Sequence, residues 1–202
     1  MTSAAVTHTV PYVTAWSSET TPPARVIAHP AGGIAYPDET VADRDRRGIL
    51  WTRAPATPGT GRPIFGGVHP LRQRRAMRRL LCQVCGGPAH RHPDGGVMWM
   101  LRDFRQDWPG WPAGMGVTEP PICKECADLS ARLCPVLRRG HVLVRVGSYP
   151  IAGVWGATYE PGPTGMRATS ADIRRFDDPL IRWTLAHSLV RQLDNTTIVE
   201  SN

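Results

Sequence analysis

The sequence predicts a loop-rich α+β protein, and three observations support that prediction. His141–Val146 alternates apolar with other side chains, which is typical of a strand with one buried face. Leu71–Leu81 carries its apolar side chains at helical spacing, which predicts an amphipathic helix. Twenty glycines and twenty prolines among 202 residues favour short elements joined by many turns. With 41% hydrophobic residues, the chain is apolar enough to bury a core.

The N-terminal third is predicted to hold a tail followed by a β-rich segment. Residues 1–23 are polar, rich in threonine and end in two prolines, so we expect a flexible tail. Within residues 24–70, Arg25–Ala28 and Gly48–Thr52 are predicted to form short strands. Four prolines and four glycines in residues 54–70 predict a loop that leads into the first helix.

Residues 141–202 are predicted to form a β-hairpin and a C-terminal helix that pack on the N-terminal segment. We expect Ile151–Tyr159 to pair with the strand His141–Val146 across the intervening turn. The helix is expected to begin at Pro179, because Asp178 is a favoured N-cap residue and proline is favoured at the first helical position. The apolar side chains of this helix recur every four residues, at Ile181, Leu185, Leu189 and Leu193.

The helix predicted for Leu71–Leu81 has an apolar half and a basic half. The apolar half comprises Gln73, Ala76, Met77, Leu80 and Leu81, and the basic half comprises Arg72, Arg74, Arg75, Arg78 and Arg79. The segment has no acidic residue, so it contributes much of the formal net charge of +7. Such a face predicts a contact with nucleic acid phosphates or with a protein partner. It would equally serve as a solvated surface, or offset negative charge at a neighbouring site.

Four of the five cysteines form two C-x-x-C pairs, which predict a metal site. Cys82 and Cys85 are followed 37 residues later by Cys123 and Cys126. Zn²⁺ is typically bound by four such thiolates in a closed tetrahedron, so we expect one structural zinc ion in residues 71–140. Thiol–disulfide chemistry is the alternative; Cys123 and Cys126 would fit a redox pair, which would leave Cys82 and Cys85 unexplained. Cys134 is expected to be a core cysteine rather than a ligand.

The order of a Gly-rich turn with the first pair, a hairpin near residues 97–101 and a helix-borne second pair resembles the treble-clef zinc module. The resemblance covers about residues 82–134. HNH-type endonucleases use the same module, and Ala89–Gly96 is similar to their His–Pro–Gly-Gly stretch. In that resemblance His92 would be the catalytic base, with His90 or Asp94 near a catalytic metal. Thr118-Glu119 and Ala127 stand where those nucleases carry asparagine.

Composition also predicts the compartment and the partners. Residues 1–10 have neither a basic nor an apolar run, and no apolar stretch is long enough to span a membrane, so we expect a cytoplasmic protein with no membrane partner. Together these features predict a non-enzymatic zinc-binding protein that contacts DNA, RNA or a protein partner through its basic helix. The alternatives are a divergent HNH-type nuclease and a structural zinc scaffold for protein assembly.

Overall fold

A computed structural model describes residues 10–199 of the chain. Within this range, the chain forms two α-helices and ten strands, so the predicted α+β class is confirmed, with sheet predominating. The helices are α1 (Pro70–Arg79) and α2 (Lys124–Leu133). The strands are β1 (Thr14–Trp16), β2 (Ile27–Ala28), β3 (Ile34–Ala35), β4 (Pro63–Val68), β5 (Val97–Arg102), β6 (Met115–Val117), β7 (His141–Ser148), β8 (Ile151–Gly162), β9 (Gly165–Arg175) and β10 (Thr184–Val199).

The longest strand, β10, organises the main sheet. It spans 16 residues and runs antiparallel to β6, β7 and β8. β7 pairs with its C-terminal part and β8 with its N-terminal part, while β5 and β9 extend the sheet in the order β5-β7-β10-β8-β9. β1 with β4 and β2 with β3 form two small separate sheets.

The predicted C-terminal helix is wrong, because residues 184–199 form β10. Only its start matches: the Asp178 carboxylate accepts a hydrogen bond from the N–H of Leu180 at 2.8 Å, but the turn that it caps ends at Trp183. Apolar residues four apart also fit a strand, in which every second side chain lies on the same face. Ala186 and Val190, which lie between those apolar residues, are buried as well, as expected for a strand packed on both faces.

Three other local predictions differ from the structure. β8 pairs with β9 and β10 rather than with β7. β5 pairs with β7 rather than within a local hairpin, because Val97, Trp99 and Leu101 share one buried cluster with the valines of β7. The predicted loop 54–70 contains β4, whose partner is β1 in the predicted tail. Residues 1–9 of that tail lie outside the described residues.

The helix α1 packs against the sheet through Met77 and Gln73, which are both fully buried. Met77 lies in one apolar cluster with Trp51, Val154 and Leu189. The amide of Gln73 donates to the carbonyl oxygens of Thr118 and Leu189 at 2.7 and 2.8 Å and accepts from the N–H of Leu189 at 3.0 Å. This exchange fixes the position of α1 relative to β10.

The segment before α1 also contacts β10. Ala186 donates its N–H to the carbonyl of Leu50 at 2.9 Å and accepts from the N–H of Thr52 at 2.8 Å. Gly48–Thr52, predicted as a strand, therefore forms only isolated bridges at Leu50 and Trp51. The proposed domain boundaries at residues 23, 70 and 140 stay predictions. Neither helix between residues 10 and 199 has the length and apolar character needed to cross a membrane.

Candidate metal centre and arginine face

Cys82, Cys85, Cys123 and Cys126 come together at one point of the fold. Their four sulfur atoms all lie within 4.8 Å of one another, and the sulfurs of Cys85 and Cys123 are 3.9 Å apart. A tetrahedral site with a metal–sulfur distance of about 2.3 Å places its sulfurs about 3.8 Å apart. All five cysteines of the chain are free thiols. The cluster therefore has the dimensions and the donor set to hold a metal ion.

The first pair lies in a tight turn that begins just after α1. The N–H of Cys82 donates to the carbonyl of Gly87 at 2.7 Å, and the N–H of Gly86 donates back to the carbonyl of Cys82 at 2.9 Å. Gly86 has a φ of 72°, a conformation that glycine adopts without strain. The N–H of Val84 points at the Cys82 sulfur, 3.4 Å away. The turn thus aims both thiols of this pair to one side.

The second pair lies at the N-terminus of α2. Cys123 is the N-cap residue of this helix and Cys126 lies in its first turn, so that both sulfurs point toward the first pair. The N–H of Gln83 donates to the carbonyl of Pro121 at 3.0 Å and so joins the two cysteine-bearing segments directly. The predicted helix start at the second pair is confirmed.

The strand β5 connects the metal centre with the main core. Its side chains alternate: Val97, Trp99 and Leu101 pack into the main core, whereas Met98 and Met100 pack against the cysteines. The residue before the second pair is held to the same strand, because the N–H of Ile122 donates to the carbonyl of Met98 at 3.0 Å. The cysteine cluster therefore lies on the face of β5 opposite the main core.

Burial opposes the ionisation of the second pair, Cys123 and Cys126, when no cation is present. Burial would raise the pKa of Cys82, but N–H groups of Cys85, Cys123 and Val84 donate to its sulfur and lower the pKa overall. Burial raises the pKa of Cys123 to about 11, and it also raises that of Cys126, where the negative charge of Cys82 adds to the effect. A divalent cation bound to the four sulfurs would oppose these raised pKa values, because it stabilises the thiolate form.

The fifth cysteine and the predicted catalytic candidates lie outside this cluster. Cys134 caps the end of α2 and is only half-buried, outside the buried core, so the prediction of a core cysteine is wrong. His90 and His92 have ring centroids 5.5 Å apart, and Nε2 of His90 and Nδ1 of His92 are buried without a hydrogen-bond partner in the described chain. Asp94 is exposed. Within residues 10–199, the four cysteines form the only group of three or more possible metal ligands at binding distance.

One of the five arginines predicted for the basic face of α1 is buried instead. Arg72 is buried, and its guanidinium donates to both carboxylate oxygens of Glu19 at 2.7 Å and to the carbonyl of Thr14 at 2.7 Å. The Arg72 hydrogen bond lowers the pKa of Glu19 to about 2. No local sequence pattern links Arg72 to this partner, although Glu19 is the only acidic residue among the first 37. Arg72 is a structural residue that fastens the N-terminal segment to α1.

The remaining four arginines of α1 surround one shallow cleft. This cleft has a volume of about 470 Å³ and is lined by Leu71, Arg74, Arg75, Arg78 and Arg79. The guanidinium of Arg74 lies 4.3 Å from the ring centroid of Trp51. Burial, together with the positive charge of Arg78, lowers the pKa of Arg74 to about 10. In the described chain, Arg72 is the one arginine of α1 that forms an ion pair.

Comparisons of the chain with protein-family models, with curated proteins and with solved structures found no match. The likeness to treble-clef modules and HNH nucleases therefore depends on residues 82–134 of this chain alone.

Proposed function

We propose that this chain is a non-enzymatic, zinc-stabilised protein that binds the phosphate backbone of nucleic acid through α1. The observation that carries the proposal is the cleft lined by Arg74, Arg75, Arg78 and Arg79, four guanidiniums with no carboxylate partner in the described residues. An unpaired guanidinium can bind two oxygens of one phosphate through parallel N–H groups.

Zinc is the ion that the four cysteines suit best. Thiolates select soft metals, and four of them close the coordination shell of Zn²⁺ without an open position for substrate. We therefore assign one zinc ion per chain and a structural role. The order of the elements, with one cysteine pair in a turn, then β5, then the second pair on a helix, supports the treble-clef likeness. β5 pairs with β7 rather than with a neighbouring strand of the same module.

The proposed zinc site and the arginine face are mechanically connected. The last turn of α1 ends at Leu80, whose backbone lies in the left-handed region, and Cys82 follows two residues later. Leu81 donates its N–H to the carbonyl of Ala76 at 3.0 Å, and Ala89 donates to the carbonyl of Leu80 at 3.1 Å. The cysteine-bearing turn thus fixes the end of the helix that carries Arg78 and Arg79.

Repulsion between neighbouring arginines favours the binding of an anion at this face. The pKa of Arg74 is lowered by burial and by Arg78, which means that these cations are less stable together than apart. Asp45 offsets only part of this repulsion. Phosphates would relieve it and release the counterions condensed on the nucleic acid, so binding should weaken steeply with salt.

The test is a salt titration of binding to a labelled duplex of random sequence. Wild type is compared with the triple variant Arg75→Gln, Arg78→Gln and Arg79→Gln, all exposed positions. The matched control carries Arg62→Gln, Arg132→Gln and Arg182→Gln, which removes the same charge from exposed positions elsewhere. We expect the α1 variant to lose about three units from the slope of log K against log salt, at about one unit for each phosphate contact.

Equal slopes for wild type and the α1 variant would overturn the proposal. So would an equal loss in the control variant, since it would show that total charge alone determines binding. Zinc content, measured on the same samples, separates a third case: if the arginines only offset the charge of the thiolates, the α1 variant loses zinc without any change in slope. Absence of duplex binding in wild type would favour the protein-scaffold alternative.

A divergent HNH-type nuclease is the second candidate, because His90 and His92 lie side by side with unpartnered ring nitrogens. Orphaned buried nitrogens are rare and often face an ion or water. Asp94 does not join them at metal-binding distance within the described chain. Plasmid nicking that requires added Mg²⁺ or Mn²⁺, and that His92→Ala abolishes while zinc is retained, would establish this function. If the wild-type protein does not nick the plasmid, the nuclease function is excluded.

A further inference from the structure

A second cleft, lined by three arginines and two aspartates, lies where β5 ends and β7 begins, apart from the arginine face of α1. It has a volume of about 420 Å³, within the range of about 300–1,000 Å³ that is usual for small-ligand sites. Its walls are Arg102 at the end of β5, residues 103–107 of the following loop, and Arg139-Gly140 before β7. The N–H of Asp103 donates to the carbonyl of Gly140 at 3.4 Å, so the two walls are joined.

The loop that follows β5 carries three aromatic rings, of which Phe104 lines the cleft and Trp108 lies next to Phe104. Phe104 lies nearly parallel to Trp108, with an interplanar angle of 11° and centroids 6.4 Å apart. Trp111, which is buried, packs edge-on against both rings and supports them from the core side. Trp108 remains 40% exposed, so its ring is accessible to a ligand.

Two guanidiniums beside these rings are available to an anion. Arg105 is already neutralised, because it binds the carboxylate of Asp103 at 2.7 Å. Arg102 and Arg139 are exposed and form no ion pair with any described residue. The guanidinium of Arg102 lies 4.9 Å from the ring centroid of Phe104, so one cation is held next to the aromatic surface.

We propose that this cleft and the adjacent Trp108–Phe104 surface bind one unstacked nucleotide, with its base on that aromatic surface and its phosphate between Arg102 and Arg139. Aromatic rings accept any base by stacking, and arginine adds charge and cation–π attraction. A base inside a duplex is already stacked on both faces, so the site selects single-stranded ends or loops. The inference extends the proposed function, since it places a second contact on the same nucleic acid.

The test uses a labelled ten-residue single strand of deoxyadenosine. Arg139→Gln is compared with Arg138→Gln, because Arg138 is the exposed neighbour that does not line the cleft. We expect Arg139→Gln to weaken binding several-fold more than Arg138→Gln. Trp108→Ala should weaken binding by about five-fold or more, the lower limit for loss of one stacked base. Binding of the strand should quench the tryptophan fluorescence of wild type. Trp108→Phe should still bind the strand but show little of this quenching.

Competition identifies the source of the nucleotide. Displacement of the strand by adenosine 5′-monophosphate at similar concentration would assign the cleft to free nucleotides, whereas displacement by oligonucleotide alone would assign it to strands. Equal displacement by inorganic pyrophosphate would overturn the proposal, because a simple anion site needs no base. Equal effects of Arg139→Gln and Arg138→Gln would overturn it as well.

This outcome is separable from that of the proposed function. The triple α1 variant changes duplex binding if the arginine face is the backbone contact, and Arg139→Gln changes single-strand binding if the cleft holds a nucleotide. If the triple α1 variant leaves duplex binding unchanged but Arg139→Gln weakens single-strand binding, the cleft is a nucleotide site and the arginine face is not a duplex contact.

Discussion

The guanidinium of Arg72 in α1 binds the carboxylate of Glu19 through two N–H···O contacts of 2.7 Å, and both side chains are buried. The same helix therefore has two kinds of arginine: one that joins elements 53 residues apart, and four that face the solvent cleft. Nε2 of His69 lies 3.8 Å from Glu19 and 2.7 Å from the carbonyl of Pro55, which extends this polar junction to the loop before β4.

The first prediction concerns the stability that the Arg72–Glu19 pair provides. Arg72→Gln should lower the free energy of unfolding by about 3–5 kcal/mol, because it leaves a buried carboxylate without its cation. Arg75→Gln, three residues away on the exposed face, should change it by less than about 0.5 kcal/mol. Urea denaturation followed by circular dichroism measures both. Similar values for the two variants would show that Arg72 contributes no buried ion pair.

The second prediction concerns the pH dependence of the same pair. The folded pKa of Glu19 is about 2, below its usual value of 4.5, so its stabilising contribution is complete above pH 4.5 and is lost as the pH falls toward 2. The difference in unfolding free energy between wild type and Glu19→Gln should therefore be largest at neutral pH and shrink across that interval. Acid effects on the cysteines are common to both proteins and cancel in the difference. A difference that stays constant from pH 5 to 2 would contradict the assignment.

The third prediction concerns Gln73, the polar residue at the centre of the α1–β10 contact. Gln73→Leu fills a similar volume but leaves the N–H and carbonyl of Leu189 and the carbonyl of Thr118 without their partner. Each unsatisfied buried group costs about 1–3 kcal/mol, so we expect a loss of several kcal/mol in urea denaturation. A variant as stable as wild type would mean that α1 is positioned by apolar packing alone.

The fourth prediction concerns the close approach of β8 to β10. A Cβ atom on Gly156 would lie 2.2 Å from the carbonyl oxygen of Leu185, so Gly156→Ala must push the two strands apart. We expect a loss of about 1–3 kcal/mol, as for overpacking elsewhere. Gly66→Ala in β4 is the matched control, because no atom lies within 4 Å of its added Cβ. Thermal unfolding of both variants would test the pairing, and a destabilisation confined to Gly66→Ala would refute it.

Local chemistry made part of this structure predictable. The spacing of the cysteines indicated their cluster, because a C-x-x-C turn needs only adjacent residues to aim two thiols at one point. The helix α1 and the strand β7 followed from periodicity within a single segment, and the start of α2 followed from its place at the second cysteine pair. In each case the information that determines the element lies within about ten residues.

The remainder depends on partners that are distant in sequence. Leu185, Leu189 and Leu193 satisfy helical and strand periodicity equally, and only the pairing with β7 and β8 decides for a strand. The burial of Arg72 depends on Glu19, which no helical wheel contains. The residues of β4, Pro63–Val68, have the composition of a loop, yet they pair with β1. Non-local contacts override local propensity at each of these sites.

The metal content of the purified protein tests the central claim most directly. Elemental analysis of wild type should give one zinc ion per chain, with the ion lost in Cys82→Ser and in Cys123→Ser. Cys134→Ser is the matched control and should retain zinc, since Cys134 lies outside the cluster. A wild-type protein that is folded and free of metal would contradict the account, as would loss of zinc from Cys134→Ser alone.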